Sequence, residues 1–200
     1  EAGDNGEAPF HHYSMKQAIQ EGFILDVLAN YTTYEQYFKL IKIADNDPEL
    51  AKNKTKALMA RFVSMHPSVI AQKVEIIVEH FRTVTMHRIG GRAKAMVVTN
   101  SREQAVRYKL AFDEYIKEKK YAGIKSLVAF SGKLEVDGAE YTEPKMNGFK
   151  ETELPDQFDT DDYQVLLVAE KYQTGFDQPL LHSMFVDKKL SGIQAVQTLS

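Results

Sequence analysis

Apolar positions recur with two different rhythms along this chain, and the rhythm changes near residue 94. In the first half they fall at helical steps. Ile19, Phe23 and Val27 stand four apart with Leu28 beside them, behind Ser14 and Gln17 placed as a capping box, so the spacing predicts a helix over residues 15–29. Tyr31 to Ile43 is aromatic, β-branched and partly alternating, which predicts a strand or an extended segment. Asp47-Pro48 has the form of a helix start and is followed by Leu50, Leu58 and Phe62. Pro67 opens a further helix through Ile70, Val74, Ile77, Val78 and Phe81, and Gly90-Gly91 closes that region.

Beyond residue 94 the apolar positions gather into short unalternating runs. They are Ala95–Thr99, Ser126–Phe130, Val165–Ala169 and Ser183–Asp187. Between them lie an amphipathic helical stretch from Arg102 to Lys119, a polar segment at 133–150 that reads as an irregular insertion, and a short helix near Leu154 to Phe158. A final helix is expected to begin near Gly192. Runs of this kind separated by helices predict an α/β fold with a parallel sheet covered on both faces. Ligands of open α/β sheets bind beyond the carboxyl ends of the strands. Three loops therefore draw attention: Thr99 to Arg102, Ser131-Gly132, and Glu170 to Pro179.

Composition narrows the chemistry more than it names it. The 200 residues are 44% hydrophobic and 26% charged with a formal charge of -3, an ordinary globular balance without strong global attraction to nucleic acid or acidic membranes. With no cysteine, thiolate catalysis and cysteine-ligated zinc are excluded. No apolar run approaches the ~20 residues of a membrane helix. Residues 1–9 are polar and acidic and read as a disordered lead-in, and without an initiator Met the chain reads as a piece of a longer protein.

Thr99, Asn100 and Ser101 put hydroxyl and amide groups at a strand-to-helix turn, where they serve either as a helix cap or as a phosphate cradle. Ser131-Gly132 allows a close backbone approach, or simply turns the chain. Gly175 and Asp177 combine a tight turn with a carboxylate able to accept from a sugar hydroxyl, and Thr174 adds a donor suited to phosphate. The six histidines show no metal spacing, and the acidic cluster Asp159 to Asp162 reads as a solvated element end. Neither a G-x-x-x-x-G-K-[ST] phosphate loop nor a G-x-S-x-G nucleophile elbow is present, so no catalytic set is visible.

Longer strings carry a family resemblance. The run from Tyr13 to Leu28 (YSMKQAIQEGFILDVL), the run from Val168 to His182 (VAEKYQTGFDQPLLH), Val186 to Leu190 (VDKKL), and the ending Gln194 to Ser200 (QAVQTLS) resemble the motor (R) subunit of type I restriction enzymes. The three loops in their order resemble those of the second motor domain of a superfamily 2 helicase-type ATPase. The resemblance implies a recombinase-like parallel sheet with flanking helices, of the phosphate-loop NTPase class, over residues 93–200. Residues 10–92 would form a helical and extended segment packed on it or preceding it.

By the same resemblance, Thr99, Asn100 and Ser101 correspond to motif IV, Ser131 and Gly132 to the next loop, and Gln173 to Asp177 to motif V. Thr99, Asn100, Ser101, Ser131, Gly132 and Thr174 would contact DNA backbone. Gly175, Asp177 and Gln197, the first residue of motif VI, would face nucleotide. The family further implies a cytoplasmic, ATP- and Mg²⁺-dependent translocase and site-specific deoxyribonuclease, with double-stranded DNA and the methylation and specificity subunits as partners and no membrane. The motif VI arginines, the phosphate loop and the nuclease core would lie on other segments, so this piece alone is expected to be inactive. Another superfamily 2 repair or RNA helicase, or a non-catalytic α/β nucleic-acid-binding module, are the alternatives.

Overall fold

Pro67 begins the first described helix because its fixed φ suits a first turn that needs no N–H. In the computed structural model, which describes residues 63–173 and 175–190, helix α1 spans Pro67–Thr83, with His66 Nδ1 accepting from the Ser68 N–H at its cap. The features expected at 1–9, 15–29, 31–43, from Asp47-Pro48 and from Gly192, together with Thr174 and Gln197, lie outside the described residues. Helix α1 buries Ile70, Val74, Ile77, Val78 and Phe81, the stripe its spacing predicts, and Lys73 beside them. It ends before Gly90-Gly91: two 3₁₀ turns, Thr85–His87 and Ile89–Gly91, intervene, and the Thr85 hydroxyl is buried 2.9 Å from that of Ser183.

Strand β1 (Lys94–Thr99) leads into α2 (Arg102–Lys119), then β2 (Ser126–Ala129). After the excursion at 133–150 come α4 (Leu154–Asp159), β5 (Val165–Val168) and β6 (Leu181–Asp187). The sheet order is β2-β5-β1-β6, and every pairing is parallel. The fold is thus α/β with a parallel sheet, as the short apolar runs predict. Alternate residues of each strand enter opposite cores. Ala95, Val97, Val128, Val165 and Leu167 pack with α1 and α2, and Met96, Val98, Leu127, Leu166 and Val168 pack with Leu154 and Phe158 of α4. Full burial of such side chains contributes about 1.5–3 kcal/mol each. Helix α1, on the amino-terminal side of the boundary expected at 92/93, shares one core with the sheet.

The segment 133–150 is not irregular, and here the expectation is corrected. It holds an antiparallel hairpin, β3 (Lys133–Val136) and β4 (Ala139–Thr142), followed by the short helix α3 (Glu143–Asn147). Asp137 and Gly138 form its turn with φ of 51° and 79°, the paired left-handed residues that a two-residue hairpin needs. That Asp-Gly dipeptide was the available signal.

The excursion also answers a physical problem. β2 is an outer strand, and its outward backbone groups would be left open. Asn147 closes them: its Oδ1 accepts the Val128 N–H at 3.0 Å and its Nδ2 donates to the Val128 carbonyl at 2.8 Å. One step along, the Phe130 N–H donates to Glu143 Oε2 at 2.9 Å. Side chains here substitute for a neighbouring strand.

Candidate functional site

Because the four strands run the same way, the turns after Thr99, Ala129, Val168 and Asp187 leave from one edge. At the first, Ser101 is the N-cap of α2, its Oγ accepting the Gln104 N–H at 3.2 Å. Thr99 is fully buried, and its hydroxyl points inward to the Val168 carbonyl at 2.9 Å and the Ser101 carbonyl at 3.2 Å. That hydroxyl therefore welds β1 to the exit of β5. Asn100 is exposed, with its N–H held by Gln104 Oε1 at 2.7 Å.

Arg102 joins the first loop to the second, donating from Nη1 to the Ser131 carbonyl at 2.9 Å. Ser131 and Gly132 are exposed. Gly132 has φ of 75°, and a Cβ there would make only an ordinary contact with the Arg102 guanidinium at 3.5 Å, so this glycine answers to conformation and not to space. The structure thus brings Asn100, Ser101, Arg102, Ser131 and Gly132 to one ledge.

The third loop is built differently. Residues 169–180 carry the chain from the end of β5 back to the start of β6, and the Lys94 N–H donates to the Leu180 carbonyl at the far edge. Among its described residues the crossover contains no helix. Its aromatic residues cover the sheet instead: Tyr172 and Phe176 have ring centroids 4.8 Å apart, and Phe176 lies 6.0 Å from Phe158. Glu170 and Tyr172 adopt φ of 64° and 61°, and the Lys171 N–H closes a three-residue turn onto the Ala169 carbonyl at 2.7 Å. Such conformations cost about 1–3 kcal/mol each in non-glycine residues and persist only where neighbours impose them. Gly175 has φ of 67° and open space around it, and Asp177 is exposed. Gln178 anchors the descending half through Nε2 to Asp159 Oδ1 at 3.2 Å. Gly175 and Asp177 accordingly lie between the aromatic cover and that anchor, while Lys171 to Gln173 lie next to the strand exit.

Residues without a sequence signal hold this edge together. Lys171 Nζ lies 2.9 Å from Glu143 and 3.0 Å from Glu151. Burial pushes the Glu143 carboxyl above its usual range, against the pull of Lys171 and the Phe130 N–H. Burial works against the Lys171 ammonium too, but its two carboxylate partners outweigh that and hold its pKa above the ordinary lysine value. At the end of β6, Asp187 accepts from Lys73 (2.6 Å), Gln104 Nε2 (2.7 Å) and the Tyr108 hydroxyl (2.6 Å), which ties α1 and the first turn of α2 to this strand end. Lys188 reaches Gln173 Oε1 at 3.4 Å, and Gln173 Nε2 is buried without a hydrogen-bond partner among the described residues.

Chemically, the ledge offers a guanidinium, a hydroxyl, an amide and a glycine-lined backbone, a set suited to phosphate oxygens and blind to base identity. Among the described residues there is no group of His, Asp and Glu able to hold a metal ion, and no helix long and apolar enough to cross a membrane.

The class defined so far is an α/β domain whose polar loops share the carboxyl edge of a parallel sheet. No protein-family profile matches the chain. Two relatives come from Methanocaldococcus jannaschii. A protein provisionally named type I restriction enzyme MjaVIIP endonuclease subunit is 28% identical over 168 aligned positions, covering 74% of this chain and 14% of that protein. Another, provisionally named type I restriction enzyme MjaVIIIP endonuclease subunit, is 23% identical over 222 positions, covering 96% of this chain and 21% of that protein. The chain is therefore a distant relative of type I restriction endonuclease subunits, and spans about a seventh to a fifth of their length.

Proposed function

We propose that the chain is the second motor domain of the DNA-translocating, DNA-cleaving R subunit of a type I restriction system. The observation that carries the reading is the ledge itself: the Arg102–Ser131 hydrogen bond joins two polar loops on the edge from which the β5 crossover also departs. In this reading Asn100, Ser101, Arg102, Ser131 and the Gly132 backbone grip successive phosphates of double-stranded DNA. Thr99 contributes through its backbone and by holding the ledge in place, since its hydroxyl is engaged within the fold. Thr174 faces DNA, while Gly175, Asp177 and Gln197 form one wall of a nucleotide site. ATP with Mg²⁺ completes that site against a first motor domain. The methylation and specificity subunits are the partners, and DNA sequence is read by them, not by this edge.

Binding of duplex DNA by the chain at low ionic strength tests the ledge. The expected affinity is independent of sequence and falls with salt, and Arg102→Ala lowers the salt slope by about one. Absence of low-salt binding would overturn the assignment. For the nucleotide wall, Asp177→Ala and Thr174→Ala in a complete R subunit should abolish DNA-stimulated ATP hydrolysis. Retained hydrolysis in both would favour a non-catalytic binding module.

A further inference from the structure

The excursion at 133–150 delivers one carboxylate to an improbable place. Glu143 is 1% exposed, yet it belongs to a segment that is otherwise largely at the surface. Its Oε2 takes the Phe130 N–H, which no strand partner claims, and both oxygens lie within 3.1 Å of Lys171 Nζ. Lys171 stands between Glu170 and Tyr172, two described non-glycine residues of the crossover held at positive φ. Backbone in that state needs an external clamp. On one side the clamp is the Tyr172–Phe176 stack against Phe158, and on the other it is Lys171 in the grip of Glu143 and Glu151. A buried ionised carboxylate in turn requires a cation beside it, so each member enforces the other's position.

We propose that Glu143 is a positioning residue for the β5 crossover: by holding Lys171 it sets the path of residues 170–177, and with it the stance of Gly175 and Asp177. This rests on the reading of that loop given above. The excursion is then a brace that links the outer edge of β2 to the β5 crossover, and movement of either is transmitted to the other through the Glu143–Lys171 ion pair.

The test is hydrogen–deuterium exchange on the whole chain, with DNA binding measured in parallel. Lys171→Met and Glu143→Gln, the latter keeping an acceptor for the Phe130 N–H, should speed exchange of residues 170–177 by about tenfold while β1 and β5 stay protected. Lys171→Arg should remain near wild type. DNA affinity should drop severalfold in the first two variants and hardly at all in the third. Should Glu143→Gln fail to fold, Lys171→Met carries the comparison alone, since Lys171 is partly exposed. Unchanged exchange at 170–177, or a rise spread evenly over the sheet, would overturn the brace. A wild-type chain that ignores DNA would remove the functional reading, and the exchange data would still judge the brace.

Discussion

The loop after β1 and the crossover after β5 leave the same edge of one sheet, but they are held by opposite strategies. The first has a local frame. Ser101 caps the helix three residues on and Gln104 holds the Asn100 N–H, while Thr99, Arg102 and the Gln104 amide reach across to Val168, Ser131 and Asp187. The second is long-range. Lys171 meets Glu143 across 28 positions, and the Tyr172–Phe176 pair rests on Phe158. A loop held locally keeps its shape whenever its own helix forms. One held by distant partners can be released without unfolding the sheet.

Four measurements would break or sharpen that contrast. The largest effect is expected for Phe158→Ala, which removes the ring beneath the crossover from a fully buried site and should destabilise by about 4 kcal/mol in denaturant titration. A value below about 1 kcal/mol would mean that the aromatic cover carries little. Next is Lys171→Met, which leaves the Glu143 carboxylate short of its cation and should cost about 2 kcal/mol, with the crossover loosened before the strands. Ser101→Ala follows at about 1 kcal/mol, and exchange should rise only in the first turn of α2. Equal loosening of both loops in either variant would erase the distinction between them.

The smallest effect is pH-dependent. Glu143 is raised in the fold, so its contribution to stability is complete below the unfolded carboxyl pKa and is lost as pH rises through the folded one. The groups facing it are Lys171, Glu151 and the Phe130 N–H. Between wild type and Glu143→Gln, the difference in stability should therefore change as pH rises above the ordinary carboxyl pKa of 4.5. Ser101→Ala should leave that pH profile as in wild type. No change in the Glu143→Gln profile would remove titration from the brace.

Sequence patterning located the strands well because burial on both faces writes itself as runs such as Leu127-Val128-Ala129 and Val165-Leu166-Leu167-Val168. Helix α2 spans Arg102–Lys119 as its periodicity predicts, with its cap at Ser101. The hairpin at 133–142 escaped notice because its strands are short and largely exposed, and exposed strands have weak alternation. Only the Asp137-Gly138 turn marked it. For the ledge, Asn100, Ser101, Ser131 and Gly132 were legible as loop residues at strand ends, while Arg102 as their link was not. Nothing in the spacing of Glu143 and Lys171 announces that they meet.

By itself, then, the sequence determined the four buried strands and the helices at 67–83, 102–119 and 154–159, that the sheet is parallel, and which turns share its carboxyl edge. Those outcomes follow from periodicity and turn chemistry, which act over a few residues. Only the tertiary structure decided the order β2-β5-β1-β6, the inward turn of the Thr99 hydroxyl, and the use of Asn147 and Glu143 to close an open strand. Those depend on where distant backbone groups are left unpaired and which side chains can reach them, and local pattern does not encode that.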